Sequence, residues 1–209
     1  MLKIVTTPNP VLSKIAEPYC FKKNGLDEEG KKLIEEMKKT LDSATDPEGV
    51  GLAAPQVGKS LQIFIVKETP KSSVKVFINP RIVALNEAEP NPSTVRYGAG
   101  TEQHRKKLSD VPRKVQRSSA PPTKLEGCLS LPNIWGFVKR NPKIKVSYYN
   151  ENGQIQKEEF SGFLATIIQH EVDHLNGTLF PKHVLEQKTK LYKSYKNKKG
   201  EDEFEEIEI

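Results

Sequence analysis

The chain has 209 residues, a formal net charge of +6 and 35% hydrophobic residues, which is enough to bury one sizeable core. No apolar run is long enough to span a membrane, and Met1 to Val5 leads into Pro8 and Pro10 without the apolar core of a signal peptide. The two cysteines, Cys20 and Cys128, are too few for a disulfide framework. These features argue against a membrane-spanning or disulfide-stapled protein, and they predict a cytoplasmic protein with no DNA or membrane partner.

The first predicted element is a helix from Asp27 to Ala44, because apolar residues recur on one face of that segment. Those residues are Leu33, Ile34, Met37 and Leu41. A glycine-containing loop then leads into a strand from Leu61 to Val66. A second pair of strands is predicted within Val74 to Leu85, broken at Asn79-Pro80 because proline cannot donate to a strand ladder.

Further strands are predicted in the second half of the chain. The pattern predicts strands at Phe137-Val138 and from Ile144 to Tyr149, and Asn152-Gly153 is a hairpin-turn signal that returns the chain through Ile155 to Phe160. The next segment is apolar around most of its circumference, which indicates a buried helix, and Gly177 follows it where a C-cap would fall. We therefore predict an α+β fold, with mostly antiparallel sheets packed around a central buried helix.

Two segments differ from the rest in composition. Glu87 to Lys124 is rich in Pro, Ser, Arg and Lys, and such a long stretch suggests a functional lid, a contact surface or a solvated insertion. Val184 to Lys199 is predicted to form a Lys-rich, exposed helix, and Glu201 to Glu208 an acidic tail. We place one domain at residues 1–185 and the tail at residues 186–209.

The segment from Gln169 to His174 carries two of the four histidines and lies on the predicted buried helix. His170 and His174 are four residues apart, so both can reach one divalent metal ion from the same helix face. Glu171 can lean over the open coordination position and take a proton from bound water. Burying these polar groups costs free energy unless they are paired or bind a metal. The segment therefore predicts a metal site.

A catalytic metal site of this kind needs a third protein ligand. His104 lies in an irregular stretch and His183 beside a Lys-rich segment, so neither is expected on rigid structure. Cys128 is the better candidate, since a metal lowers the pKa of a thiol and binds it as a thiolate. Read alone, a single cysteine is more typical of a small buried hydrophobic residue.

Three segments, taken together and in this order, resemble the peptide deformylases. The motifs of that family are Gly-apolar-Gly-apolar-Ala-Ala-x-Gln, Glu-Gly-Cys-apolar-Ser and Gln-His-Glu-apolar-Asp-His. The chain matches them without exception at Gly49 to Gln56, Glu126 to Ser130 and Gln169 to His174. The resemblance covers most of the chain, and one departure is the stretch before the Cys128 motif, which is far longer than is typical.

The resemblance implies a metal-dependent hydrolase that removes the N-formyl group from the N-terminal formyl-methionine of nascent polypeptides and releases formate. Cys128, His170 and His174 would bind one divalent ion per chain. The family favours Fe²⁺ in the cell, and Zn²⁺, Ni²⁺ or Co²⁺ also suit one sulfur and two nitrogen donors. A monomer is expected.

The resemblance also implies roles for residues around the ion. Glu171 would act as a base and then as an acid, while the side-chain amide of Gln56 and the backbone N–H of Leu129 would stabilise the oxyanion. The peptide would lie extended along the segment around Gly51. The implied substrate-binding residues are Val50, Gly51, Glu126, Phe163, Thr166 and Ile167.

Two other classes stay open on the residues alone. A metallopeptidase of the His-Glu-x-x-His type would use the same helix, and Cys128 could then be replaced without loss of the metal. A non-catalytic, metal-stabilised binding module would instead use a closed site with four protein ligands.

The long insertion also suggests a partner. The basic residues Arg105 to Lys107, Arg113-Lys114 and Arg117 lead to the hypothesis that this segment holds the enzyme near ribosomal RNA, because basic clusters bind phosphate backbones. The alternative is a surface loop whose charges only aid solubility.

Overall fold

A computed structural model describes residues 1–22, 25–45, 48–69, 72–83, 123–198, 200 and 202–208. Within these ranges the helices are α1 (Glu28–Ser43), α2 (Gly162–Leu175) and α3 (Phe180–Gln187). The strands are β1 (Gly51–Ala53), β2 (Ile63–Val66), β3 (Lys75–Val83), β4 (Thr123–Cys128), β5 (Leu131–Lys139), β6 (Lys143–Tyr149), β7 (Ile155–Ser161), β8 (Leu191–Lys196) and β9 (Asp202–Ile207). Apart from Thr123 and Lys124, the predicted insertion lies outside the described residues, and so do His104 and the basic clusters. None of the described helices is long and apolar enough to cross a bilayer.

Helix α1 agrees with its prediction to within a residue at each end. The Asp27 side chain accepts a hydrogen bond from the backbone N–H of Gly30, which caps the first turn. The apolar face predicted from the sequence is buried, and it packs on residues of β1, β2 and β3 in one core cluster. The buried residues of this face are Leu33, Ile34, Met37 and Leu41.

Five antiparallel strands form the first sheet, in the order β1-β2-β3-β6-β7. The predicted Asn152-Gly153 turn does join β6 to β7, with Gly153 at a φ of 72°, a conformation that favours glycine. The predicted loop at the first motif is partly wrong, because Gly51–Ala53 pairs with β2 as an edge strand. A short 3₁₀ turn over Ala54–Val57 follows it.

The prediction of two strands within Val74 to Leu85 is wrong. The described part of that segment is the single strand β3, in which the register shifts between Ile78 and Arg81. The two residues between them stand opposite a single residue of β6, which is a β-bulge. Asn79 has a φ of 50°, and its side chain bonds the backbone of Tyr19 through both of its polar atoms. Asn79 and Pro80, which were predicted to break the strand, therefore form a bulge within it.

The second sheet has four antiparallel strands in the order β4-β5-β8-β9. The helix predicted to extend to Lys199 is wrong, since α3 ends at Gln187 and the chain continues as the β8–β9 hairpin. Opposite charges face each other across this hairpin, as in the ion pairs Lys190–Glu206 at 2.7 Å and Lys196–Asp202 at 2.9 Å. Such cross-strand pairs favour a hairpin, and β5 supplies the edge on which it forms.

Helix α2 packs against the first sheet and is the buried centre of the fold. Its residues Ala165 and Ile168 are fully buried among the side chains of β2, β3, β6 and β7. The helix ends at Leu175, and Gly177 follows with a φ of 65°, as the C-cap prediction required. The predicted α+β architecture around a buried helix is confirmed.

Candidate metal centre and cleft

Two elements bring the three predicted metal ligands together. His170 and His174 lie one turn apart on α2, and Cys128 ends β4 just before a tight turn into β5. One donor atom from each residue lies within 4.8 Å of the others. Cys128 Sγ is 3.3 Å from His174 Nε2, close to the separation of about 3.5 Å that the metal–sulfur and metal–nitrogen bonds of a tetrahedral zinc site imply. The prediction of a Cys-His-His site is confirmed.

The environment of these donors fits a cation. Cys128 is 4% exposed and His174 is 1% exposed. Burial alone would raise the pKa of the Cys128 thiol, but the neighbouring His174 and His170 lower it well below its usual value. The thiolate is the form that binds metals. Among the described residues, His174 Nδ1 and Glu171 Oε2 are buried without a hydrogen-bond partner, which is costly in an uncharged, closed core.

Glu126 fixes the orientation of His170. Its Oε2 lies 3.0 Å from His170 Nδ1, which leaves the other ring nitrogen for the metal and holds the imidazole in the matching tautomer. Arg140 donates to both carboxylate oxygens of Glu126, at 2.8 and 2.9 Å. Burial alone would raise the pKa of Glu126, but the bonds from Arg140 and His170 lower it to about 2. Glu126 therefore stays ionised beside His170, the predicted metal ligand.

The same guanidinium links Glu126 to Asp173, which lies about one turn after His170 on α2. Arg140 Nη1 donates to Asp173 Oδ2 at 2.6 Å, and His183 Nε2 lies 2.8 Å from that oxygen. His183 was not expected on rigid structure, but it lies on α3. Arg140 was not predicted from the sequence. A lone arginine at the end of a strand carries no local signal that two acidic partners will meet it.

Gln56 presents its amide group to the centre. The residue is 1% exposed, and its Oε1 accepts a hydrogen bond of 2.8 Å from the backbone N–H of Ala53. That bond turns Nε2 toward Cys128 Sγ at 3.5 Å and Ser130 Oγ at 3.4 Å. The side-chain N–H of Gln56 therefore lies beside the candidate metal ligands, as the family resemblance implied.

Gly51 lies directly against the carboxyl group of Glu171. A Cβ added at Gly51 would be 2.3 Å from Glu171 Oε1, so only glycine lets the carboxyl lie in this place. Burial raises the pKa of Glu171 to about 7, although His174 and His170 lower it. A carboxyl with a pKa near neutrality can both accept and return a proton. The glycine in the first motif therefore leaves space for the Glu171 carboxyl group.

A cleft of about 240 Å³ opens beside the centre. Eleven of the twelve predicted site residues line it, and the twelfth, His174, lies behind them. The eleven are Val50, Gly51, Gln56, Glu126, Cys128, Leu129, Phe163, Thr166, Ile167, His170 and Glu171. Its wall also includes residues that the sequence analysis did not single out. They are Glu48, Gly49, Lys124, Leu125, Gly127 and Trp135.

Comparison with known proteins gives consistent matches. A family model described as polypeptide deformylase matches residues 1–190. A peptide deformylase from Desulfotalea psychrophila is 34% identical over 197 residues, which covers 92% of this chain and 93% of the relative. The crystal structure of the Thermotoga maritima peptide deformylase is 33% identical, with a TM-score of 0.63 and coverage of 88% of this chain and 97% of that chain. A peptide deformylase from Synechococcus elongatus, solved in complex with actinonin, is 31% identical, with a TM-score of 0.63 and coverage of 87% and 78%.

The fold and the site together define a metallohydrolase. A Cys-His-His donor set and a buried glutamate lie at the inner end of an open cleft. The matches over nearly the whole chain make the assignment specific. The chain belongs to the polypeptide deformylase family.

Replacing Gly51 by alanine tests the placement of Glu171. The added methyl group would displace the carboxyl, and misplacing a catalytic group by about 1 Å can cost about 10²-fold in rate. We expect Gly51→Ala to lose about that factor in kcat/KM on a formylated peptide. Its metal content should match that of the parent, because Cys128, His170 and His174 keep their positions. Full turnover in a folded, metal-replete variant would show that Gly51 does not position Glu171.

Proposed function

We propose that this chain, as a member of the deformylase family, removes the N-formyl group from the N-terminal formyl-methionine of nascent polypeptides and releases formate. The observation that carries the proposal is the meeting of a thiol, two imidazoles and a buried carboxyl at the inner end of one cleft. A peptidase using the His-Glu-x-x-His pattern would not require a cysteine beside His174, whereas here the two atoms are 3.3 Å apart. A closed structural site is disfavoured by the cleft that reaches the donors.

Cys128, His170 and His174 would hold one divalent ion. When bound, the ion acts as a Lewis acid and lowers the pKa of a coordinated water toward neutrality. We infer Fe²⁺ as the ion in the cell, because the family resemblance favours it; a thiolate with two imidazoles does not by itself select one ion. Zn²⁺, Ni²⁺ and Co²⁺ fit the same donors.

Glu171 would handle the protons of the reaction. Its carboxyl is 3% exposed, with a pKa of about 7, so it can take a proton from the attacking water. It can then deliver that proton to the amine that leaves as the new N-terminus. The absence of a side chain at Gly51 leaves room for this carboxyl at the cleft wall.

Two N–H groups would stabilise the oxyanion formed at the formyl carbon. One is the Gln56 side-chain amide, which is already turned toward the centre by Ala53. The other is the backbone N–H of Leu129, in the turn between β4 and β5 that lines the cleft. Removing one donor of this kind typically costs about 10²–10³ in rate.

The peptide would bind as an added strand between the two sheets. Strands β1 and β4 are each at the edge of their sheet, and both line the cleft, so an extended chain can pair with the segment around Gly51. The buried side chains of Thr166 and Ile167, with Val50 and Phe163, would surround the methionine side chain. Glu126 was predicted to bind substrate, but Arg140 and His170 occupy both of its carboxylate oxygens. We therefore assign Glu126 to the orientation of His170.

The Glu171→Gln variant tests the proposed reaction. Glutamine has nearly the same shape but cannot take the proton from water, so formate release from a formyl-methionyl peptide should fall by about 10²–10⁴-fold. Metal content and thermal stability should stay close to those of the parent, because Glu171 is not one of the three ligands. Equal formate release by the variant would remove Glu171 from the mechanism. Absence of formate release from the metal-loaded parent would contradict the proposed function itself.

We also propose that the enzyme acts in the cytoplasm as a monomer and contacts the ribosome through its basic insertion. The support is the positive charge of that segment and the polyanionic particle on which formylated chains appear. Deletion of residues 88–122 should weaken ribosome binding and flatten its salt dependence in a sedimentation assay. Unchanged affinity at every salt concentration would exclude the insertion as an anchor.

A further inference from the structure

Three elements line the cleft along its length, and each has one end at the donor cluster. The inner ends are Gly51, Cys128 and His170 with Glu171. The opposite ends, which we call the outer ends, are the lining residues farthest along each segment from the donor cluster, namely Glu48, Lys124 and Phe163. Strand geometry puts Lys124 about 13 Å from Cys128, and helix geometry puts Phe163 about 10 Å from His170. The cleft therefore has room for about three residues of extended peptide beyond the formyl group, at about 3.4 Å each.

Lys124 places a positive charge at the outer end. On β4 it alternates with Glu126 and Cys128, which point toward the interior, while Thr123 and Leu125 are exposed. Its Nζ lies 5.8 Å from the centre of the Phe163 ring, a distance at which a cation is held over an aromatic face. In the described part of the chain Lys124 forms no ion pair with a carboxylate. Among the described residues, no carboxylate therefore competes with a ligand in the cleft for this charge.

The neighbouring acidic groups do not cancel this charge. Glu126, the next inward residue on β4, is already neutralised by the bidentate contact with Arg140. Glu48 lines the opposite, β1 side of the cleft and is exposed, so solvent screens its charge more strongly than that of the half-buried Lys124. The wall formed by β4 and α2 is thus positive at the cleft mouth.

We propose that Lys124 makes the enzyme select formylated peptides with an acidic side chain at the third residue. This inference rests on the proposed function. Side chains alternate along an extended peptide, so the first and third residues face the same wall. If the methionine side chain lies beside Thr166 and Ile167, the third side chain lies about 7 Å farther out on the α2 side. Phe163, at the outer edge of the methionine pocket, would lie between these two side chains, and the Lys124 ammonium, 5.8 Å from its ring centre, would face the third one.

The test compares peptides that differ only in one charge. We would measure kcat/KM for amidated formyl-Met-Ala-Asp-Ala and formyl-Met-Ala-Asn-Ala. Partly exposed ion pairs correspond to about a two- to fivefold preference, and we expect the parent to favour Asp by that factor. Lys124→Gln should abolish the preference, Lys124→Glu should invert it, and Lys124→Arg should keep it. The matched control is Lys32→Gln, which removes an exposed lysine from α1 and should keep the parent ratio.

A second readout separates this inference from the proposed function. Calorimetric binding of the unformylated peptides Met-Ala-Asp-Ala and Met-Ala-Asn-Ala to the metal-loaded protein needs no turnover. The same preference in Kd, lost in Lys124→Gln, would support the role of Lys124 even if formate release failed. An equal Asp-to-Asn ratio in the parent and in Lys124→Gln would overturn the inference. So would the same preference between formyl-Met-Asp-Ala-Ala and formyl-Met-Asn-Ala-Ala, because the alternation of side chains would then be wrong.

Discussion

The structure depends on the burial of an ionisable cluster in the centre of the fold. The Cys128 thiol, the His174 imidazole and the Glu171 carboxyl are almost fully enclosed, and the His170 side chain is 12% exposed. His174 Nδ1 and Glu171 Oε2 lack protein partners among the described residues. Isolated charges in such a place cost several kcal/mol each unless they are compensated. A divalent cation bound by these donors would compensate the cluster directly. The Arg140–Glu126 pair supplies further compensation from the side of His170.

The two sheets together bring the residues of this cluster into contact. The first sheet carries α2 and its histidines, and the second sheet brings Cys128 to them at the end of β4. Because β1 and β4 are both edge strands among the described residues, the gap between the sheets is an open cleft flanked by the edges of these two strands. Glycines allow two close contacts in its wall, where Gly51 lies against Glu171 and Gly127 leaves space for the Trp135 ring. At Gly51 the missing side chain leaves room for a reactive carboxyl.

The predictions that were confirmed rest on patterns of residues that lie close together in the sequence. Helix α1, the β6–β7 hairpin and the buried α2 have signals within a few residues of each other, and the Cys-His-His set follows from three short motifs. The failures involve partners distant in sequence. Arg140 bonds Glu126 and Asp173, which lie 14 and 33 residues away along the chain. The sequence next to Arg140 has no pattern that predicts either contact. The Lys-rich and Glu-rich C-terminal runs suit a helix or a hairpin, and only the edge of β5 decides between them.

The spectrum of the cobalt-substituted protein tests the central claim, that Cys128 and the two histidines of α2 share one ion. A thiolate bound to Co²⁺ gives an intense sulfur-to-metal charge-transfer band. The parent should show this band at one ion per chain, and Cys128→Ser should lose it because serine is not deprotonated as readily as cysteine. Cys20→Ser is the matched control, since Cys20 is the exposed second cysteine, and it should keep the band. An unchanged band and ion content in Cys128→Ser would contradict the account.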